Sequence, residues 1–241
     1  MIARAHLESL LKARKLDVTL TSAAPWLAED PDARALTGVP AIDHGLGGGL
    51  RRGHLSEIVG GRSSGRTSVM VRALLEAAAR GELVALIDAA DRFDPASASD
   101  AGLDLARLLW VRGSSVGRRT GINEAGAGVA RAIKAMNLVL QAGGFGLVVL
   151  DLADTPPAAV GALPFTTWFR LARIIEGTPT VALVVVAEHV GRSAGGATIV
   201  MDGSGRHGVW QGGRSDRARL LTALDLRPRI ISGASLPGRQ S

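Results

Sequence analysis

Short, unbroken apolar runs alternate along the chain with segments whose apolar residues recur every three or four positions. The runs Leu83 to Asp88, Leu108 to Val111, Gly146 to Asp151 and Thr180 to Ala187 have strand length and carry no polar residue on alternate positions. Such runs predict strands covered on both faces, the pattern of a buried parallel sheet. Between them, Val69 to Ala79 is rich in helix formers, Glu124 to Gln141 places Val129, Ile133, Met136 and Leu140 at helical steps, and Thr166 to Ile175 reads as a further helix. In that last segment Trp168 and Phe169 are both expected in the core. Ala197 to Met201 and His207 to Gln211, separated by Asp202-Gly203-Ser204-Gly205, predict a C-terminal hairpin. The resulting fold class is α/β, a mostly parallel central sheet flanked by helices. One core domain is expected over 36–225, preceded by a basic amphipathic arm in 1–20 and a linker in 21–35, and followed by a flexible tail in 226–241.

The most informative stretch is Ser56 to Ser68. Ile58 and Val59 end a strand, Gly60 and Gly65 bracket four residues, and a helix follows, so strand, glycine-rich turn and helix come in the order of a phosphate-binding P-loop. Backbone N–H groups of such a loop converge on phosphate oxygens, and the helix N-terminus adds partial positive charge. Gly60, Gly61, Arg62, Ser63, Ser64, Gly65, Arg66, Thr67 and Ser68 are therefore the candidate nucleotide-binding residues, with the Thr67 hydroxyl placed to ligate Mg²⁺. One residue departs from the pattern: Arg66 stands where a lysine belongs, and a planar guanidinium is no substitute for a compact ammonium. Downstream, the run ending in Asp151 has the form of a Walker B strand, which assigns Asp151 to a second contact with Mg²⁺.

Thr37-Gly38, the short segment around Asp43, the glycines 47–49, the strand residues Glu57-Ile58 and the loop Gly61-Arg-Ser-Ser-Gly-Arg-Thr67 resemble the RecA family in type and order. The resemblance runs over about residues 36–211 and implies a RecA-like core that uses ATP and Mg²⁺. It also aligns Ile87-Asp88-Ala89-Ala90 with the strand that carries that family's catalytic glutamate, so the glutamate is replaced by Ala90. A methyl group neither accepts a proton nor orients water. Asp91 is the neighbouring acid, on the opposite face if the strand continues. Glu188-His189 falls where the family has a polar γ-phosphate sensor, which makes His189 a candidate sensor or an exposed strand-end histidine. The proline-containing stretch 155–164 and residues 191–196 replace longer DNA-binding loops.

Composition narrows the partners. The chain has 241 residues, 28 of them Lys or Arg against 22 Asp or Glu, and the formal net charge of +6 favours an acidic partner such as DNA. The basic residues are scattered, so charge alone does not locate the contact. Arg118, Arg119 and Arg192 are the candidate DNA-binding residues, expected to act through weak, salt-sensitive phosphate contacts, although a solvated turn is the more ordinary reading of the first two. Cysteine is absent, which removes disulfides and thiol chemistry, and the five histidines show no metal-ligand spacing. No apolar run is long enough to span a membrane and the first residues lack a signal-peptide core, so a cytoplasmic protein is expected.

The missing lysine and glutamate, the trimmed loops and the lack of a large C-terminal domain are most similar to the ImuA branch of RecA-like proteins. That resemblance implies an accessory factor of error-prone translesion synthesis, partnered by an ImuB-type polymerase-related protein and an error-prone polymerase, with little or no ATP hydrolysis. By the same resemblance, residues 1–20 are the place for self-association. The competing reading is an active DNA-dependent ATPase in homologous recombination, with Arg66 and Asp91 as unorthodox substitutes. A cell-division regulator is a third possibility, favoured by no particular residue.

Overall fold

The structure, a computed structural model, describes residues 33–113, 122–190, 195–201, 207–212, 219–225 and 228–232. The expected arm, most of the linker and Arg118, Arg119 and Arg192 lie outside these residues.

Eleven strands and six helices follow one another among them. β1 (Arg34–Ala35) pairs antiparallel with β2 (Leu50–Arg51), on either side of α1 (Pro40–Gly45). Asp43 of α1 explains the Thr-Gly that precedes it. Its Oδ1 accepts from the Thr37 N–H and hydroxyl, each at 2.8 Å, and its Oδ2 from the Gly38 N–H at 3.1 Å. β3 (Leu55–Gly60) leads into α2 (Arg66–Ala79), then β4 (Val84–Asp88), α3 (Pro95–Asp100) and β5 (Leu108–Arg112). The long α4 (Ile122–Ala142) precedes β6 (Leu147–Asp151), α5 (Pro157–Gly161), α6 (Thr166–Ile175) and β7 (Val181–Val186). β8 (Gly195–Met201), β9 (His207–Gly212), β10 (Arg219–Asp225) and β11 (Arg229–Ser232) complete the described chain.

The main sheet has the order β11-β8-β3-β7-β6-β4-β5, and every pairing in it is parallel except that of β11 with β8. Its strands bury both faces, as their unbroken apolar runs require. Leu147, Val149, Leu183 and Val185 point to one side and meet Val69, Met70 and Leu74 of α2. Val148, Leu150, Val184 and Val186 point to the other and meet Val129, Ile133 and Met136 of α4 and Trp168, Leu171 and Ile175 of α6. Asp151 continues the parity of Leu147 and Val149, so it belongs to the face covered by α2.

Three expectations are corrected. β8 does not form a hairpin with β9: its apolar residues Ile199 and Met201 are buried in the main sheet beside β3, and β9 instead pairs antiparallel with β10. A C-terminal hairpin therefore exists, with different strands. The tail contains β11, which adds to the sheet edge on β8. Phe169 is 47% exposed while Trp168 is 4% exposed, because Trp168, Leu171 and Ile175 share one helical stripe and Phe169 falls outside it.

Candidate nucleotide site

The carboxyl ends of β3, β4, β6 and β7 lie along one edge of the sheet, the edge where open parallel sheets bind ligands. β3 and β6 are separated there by β7 alone. The loop between β3 and α2 turns through left-handed backbone: Ser63 has φ 57° and Gly65 has φ 90°, and Gly65 caps the first turn of α2. Gly60 tolerates no side chain, since a Cβ would stand 2.4 Å from Ser64 Oγ and 2.7 Å from the Met201 carbonyl oxygen. Arg62, Thr67 and Ser68 are exposed along the loop and the first turn, whereas Ser64 and Arg66 are buried.

Arg66 points inward. One guanidinium nitrogen donates to the Gly60 carbonyl, and the other donates to the Ala153 carbonyl at 2.8 Å and to Asp154 Oδ1 at 3.2 Å. Arg62 approaches the same Asp154 oxygen at 3.7 Å. Asp154 carries no family motif and escaped sequence reasoning; the only available signal was a second acid shortly after the Walker B run.

Asp151 and Asp88 face each other in the register of β6 and β4. Asp88 is buried, with Oδ2 accepting from the Phe93 N–H at 2.7 Å and Oδ1 without a partner. Burial, then the neighbouring Asp88 and Asp154, push the Asp151 carboxyl up to about 6, against the pull of the Ala153 N–H and Arg66. Among the described residues no cluster of three or more His, Asp or Glu is arranged to hold a metal ion.

The catalytic positions fare differently. Ala90 is buried and Asp91, in left-handed backbone at φ 53°, is turned to Arg112 at the end of β5. The pair is two-pronged, Nε to Oδ1 at 2.8 Å and Nη2 to Oδ2 at 2.9 Å, and it holds the Asp91 carboxyl below the ordinary range. Arg112 also lies over the Trp110 ring, 4.6 Å from its centroid. His189, beyond the end of β7, pairs with Glu57 of β3. Its Nδ1 lies 2.5 Å from Glu57 Oε1, which also accepts from the Thr198 hydroxyl at 2.8 Å. Glu57 shares the parity of Leu55 and Val59, on the sheet face opposite α2, and its burial raises its pKa despite these partners. His189 thus closes over a buried carboxylate where a phosphate sensor was expected.

Residues 30–156, more than half of the chain, match the RecA N-terminal domain. The chain belongs to the RecA family. Protein RecA of Chlorobaculum tepidum is 46% identical over 74 residues, 30% of this chain and 21% of that protein. Protein RecA of Nostoc sp. is 42% identical over 73 residues, 30% and 20% of the two chains. The matched stretch is thus about a fifth of the length of these relatives. A crystal structure of the RadB recombinase superposes with a TM-score of 0.45 and 22% identity, over 62% of this chain and 68% of that one. Arg66, Ala90 and the Asp91–Arg112 pair all fall within the matched residues. No described helix is long and apolar enough to cross a membrane.

Proposed function

We propose that this RecA-family chain is an accessory protein of DNA damage tolerance, of the ImuA type, which holds other proteins together instead of consuming ATP. The observation that carries this reading is at the end of β4. Ala90 offers no carboxylate to orient an attacking water, and the adjacent Asp91 is committed to both prongs of Arg112. Without a water-positioning group, transition-state stabilisation of several kcal/mol is lost. What remains is a rigid α/β core with a basic overall charge, suited to scaffolding near nucleic acid.

Its partners on this reading are an ImuB-type polymerase-related protein and an error-prone polymerase, with weak, salt-sensitive DNA contact through surface arginines. Co-purification of the full chain with an ImuB-type protein of the same organism, with and without ATP and Mg²⁺, tests it. Association that is equal in both conditions is the expected result. No association, or association only with ATP, contradicts the accessory role.

A further inference from the structure

The family leads one to expect a nucleoside triphosphate and Mg²⁺ on the loop between β3 and α2, and the side chains there do not fit them. α2 runs for 14 residues, and its first N–H groups leave partial positive charge where Arg66 begins the helix. A guanidinium at that point is unfavourable unless acceptors surround it. Arg66 nevertheless lies inside, its side chain 6% exposed, and among the described residues it meets three acceptors: the Gly60 carbonyl, the Ala153 carbonyl and Asp154 Oδ1. These acceptors come from the end of β3 and from the turn after β6, two strands that flank β7 in the sheet. A lysine ammonium is a compact charge with three rotatable donors on a flexible stem, free to turn to phosphate, whereas the planar guanidinium holds its donors in a fixed fork that here meets three acceptors at once.

We propose that Arg66 and Asp154 form a built-in plug that closes the cradle against nucleoside triphosphates, with Asp154 as the residue that positions the plug. The inference rests on the reading of the chain as a non-hydrolysing RecA-family protein and adds that nucleotide is excluded as well as left intact. The guanidinium supplies the positive charge that a bound cation would bring, and it ties the loop at Gly60 to the turn after β6. Asp154 is the one anionic acceptor of the set, and it is shared with Arg62. Removing its charge frees Arg66 to leave the loop and meet phosphate.

The test is fluorescence titration of the full chain with a fluorescent ATP analogue and Mg²⁺, for the unmodified protein, Asp154→Asn and Arg66→Lys. The unmodified protein is expected to show no saturable binding. Both variants are expected to gain affinity by about tenfold or more, equivalent to about 1.4 kcal/mol. If Asp154→Asn fails to fold, Arg66→Lys decides, because lysine lacks the fixed planar fork that ties Arg66 to its acceptors. Affinity unchanged in a folded variant overturns the plug. So does saturable binding by the unmodified chain that Arg66→Ala abolishes, because Arg66 would then serve the phosphates. Binding without turnover would remove the plug and leave the accessory role standing; turnover would remove both.

Discussion

Asp91 and Arg112 are joined at two points, 2.8 Å and 2.9 Å, one residue beyond the buried Ala90. The pair spans the ends of neighbouring strands β4 and β5, and the left-handed turn at Asp91 aims the carboxylate at Arg112. Asp91 is thereby a strand-end tether, and its depressed pKa makes it a poor proton acceptor.

On the proposed reading, Arg66 and Ala90 are the two residues that withhold ATP hydrolysis. Ala90→Glu alone is expected to leave ATP hydrolysis at background, because Arg66 still fills the loop, whereas Ala90→Glu with Arg66→Lys is expected to yield turnover above background. Phosphate release from the two variants, with and without single-stranded DNA, checks this. Equal activity in both would mean that Arg66 is no obstacle.

Arg52 and Glu82 form a buried ion pair at 2.5 Å, each side chain 5% exposed, and Arg52 also donates to the Pro179 carbonyl at 2.9 Å. Removing one partner strands a charge in the interior. Glu82→Ala is expected to destabilise the fold by about 3–5 kcal/mol, and Arg52→Met with Glu82→Leu by clearly less. Urea denaturation of the single and double variants measures the difference, and a double variant as unstable as the single one would refute the argument.

Asp151 titrates in the folded protein at about 6, above its ordinary 3.8. The folded state therefore binds the proton more tightly than the unfolded chain, so this group's contribution is full below 3.8 and is lost as pH rises through about 6. Asp151→Asn removes that loss while its amide oxygen can still accept from the Ala153 N–H, now 2.9 Å from Oδ1. The variant is expected to be more stable than the unmodified protein at neutral pH, by up to about 3 kcal/mol, with the gap closing on acidification. Melting curves across pH give the answer, and a gap that widens in acid would reverse the sign assigned to burial.

Trp168 and Phe169 are adjacent, yet only the first packs against α4 and the sheet. Trp168→Ala is expected to cost about 3–5 kcal/mol. Phe169→Ser is expected to be close to neutral, because Phe169 meets Phe165 on the surface with ring centroids 4.7 Å apart. Thermal melts of the two variants distinguish a buried stripe from a uniformly buried segment.

The parts of the fold legible in the sequence were those set by local order. Unbroken runs such as Leu147 to Leu150 require cover on both faces, and an acid closing such a run marks the ligand edge. Partner choice among strands was not legible: Asp202-Gly203-Ser204-Gly205 suggested a hairpin, but β8 finds β3, which lies far away in sequence. The four-residue β11 is too short to stand out from a polar, glycine-containing tail. The strand–turn–helix order around Gly60 to Thr67 and the place of Asp151 at the end of β6 were readable, because they follow from local order along the chain. Asp154, the Asp91–Arg112 tether and the Glu57–His189 pair depend on side chains that meet only after folding, so no spacing announced them.

The most direct measurement is phosphate release from ATP and Mg²⁺ by the unmodified full chain, with single-stranded DNA present and absent. The account predicts release at background in both conditions. Release that single-stranded DNA stimulates, and that Arg66→Ala abolishes, would contradict it.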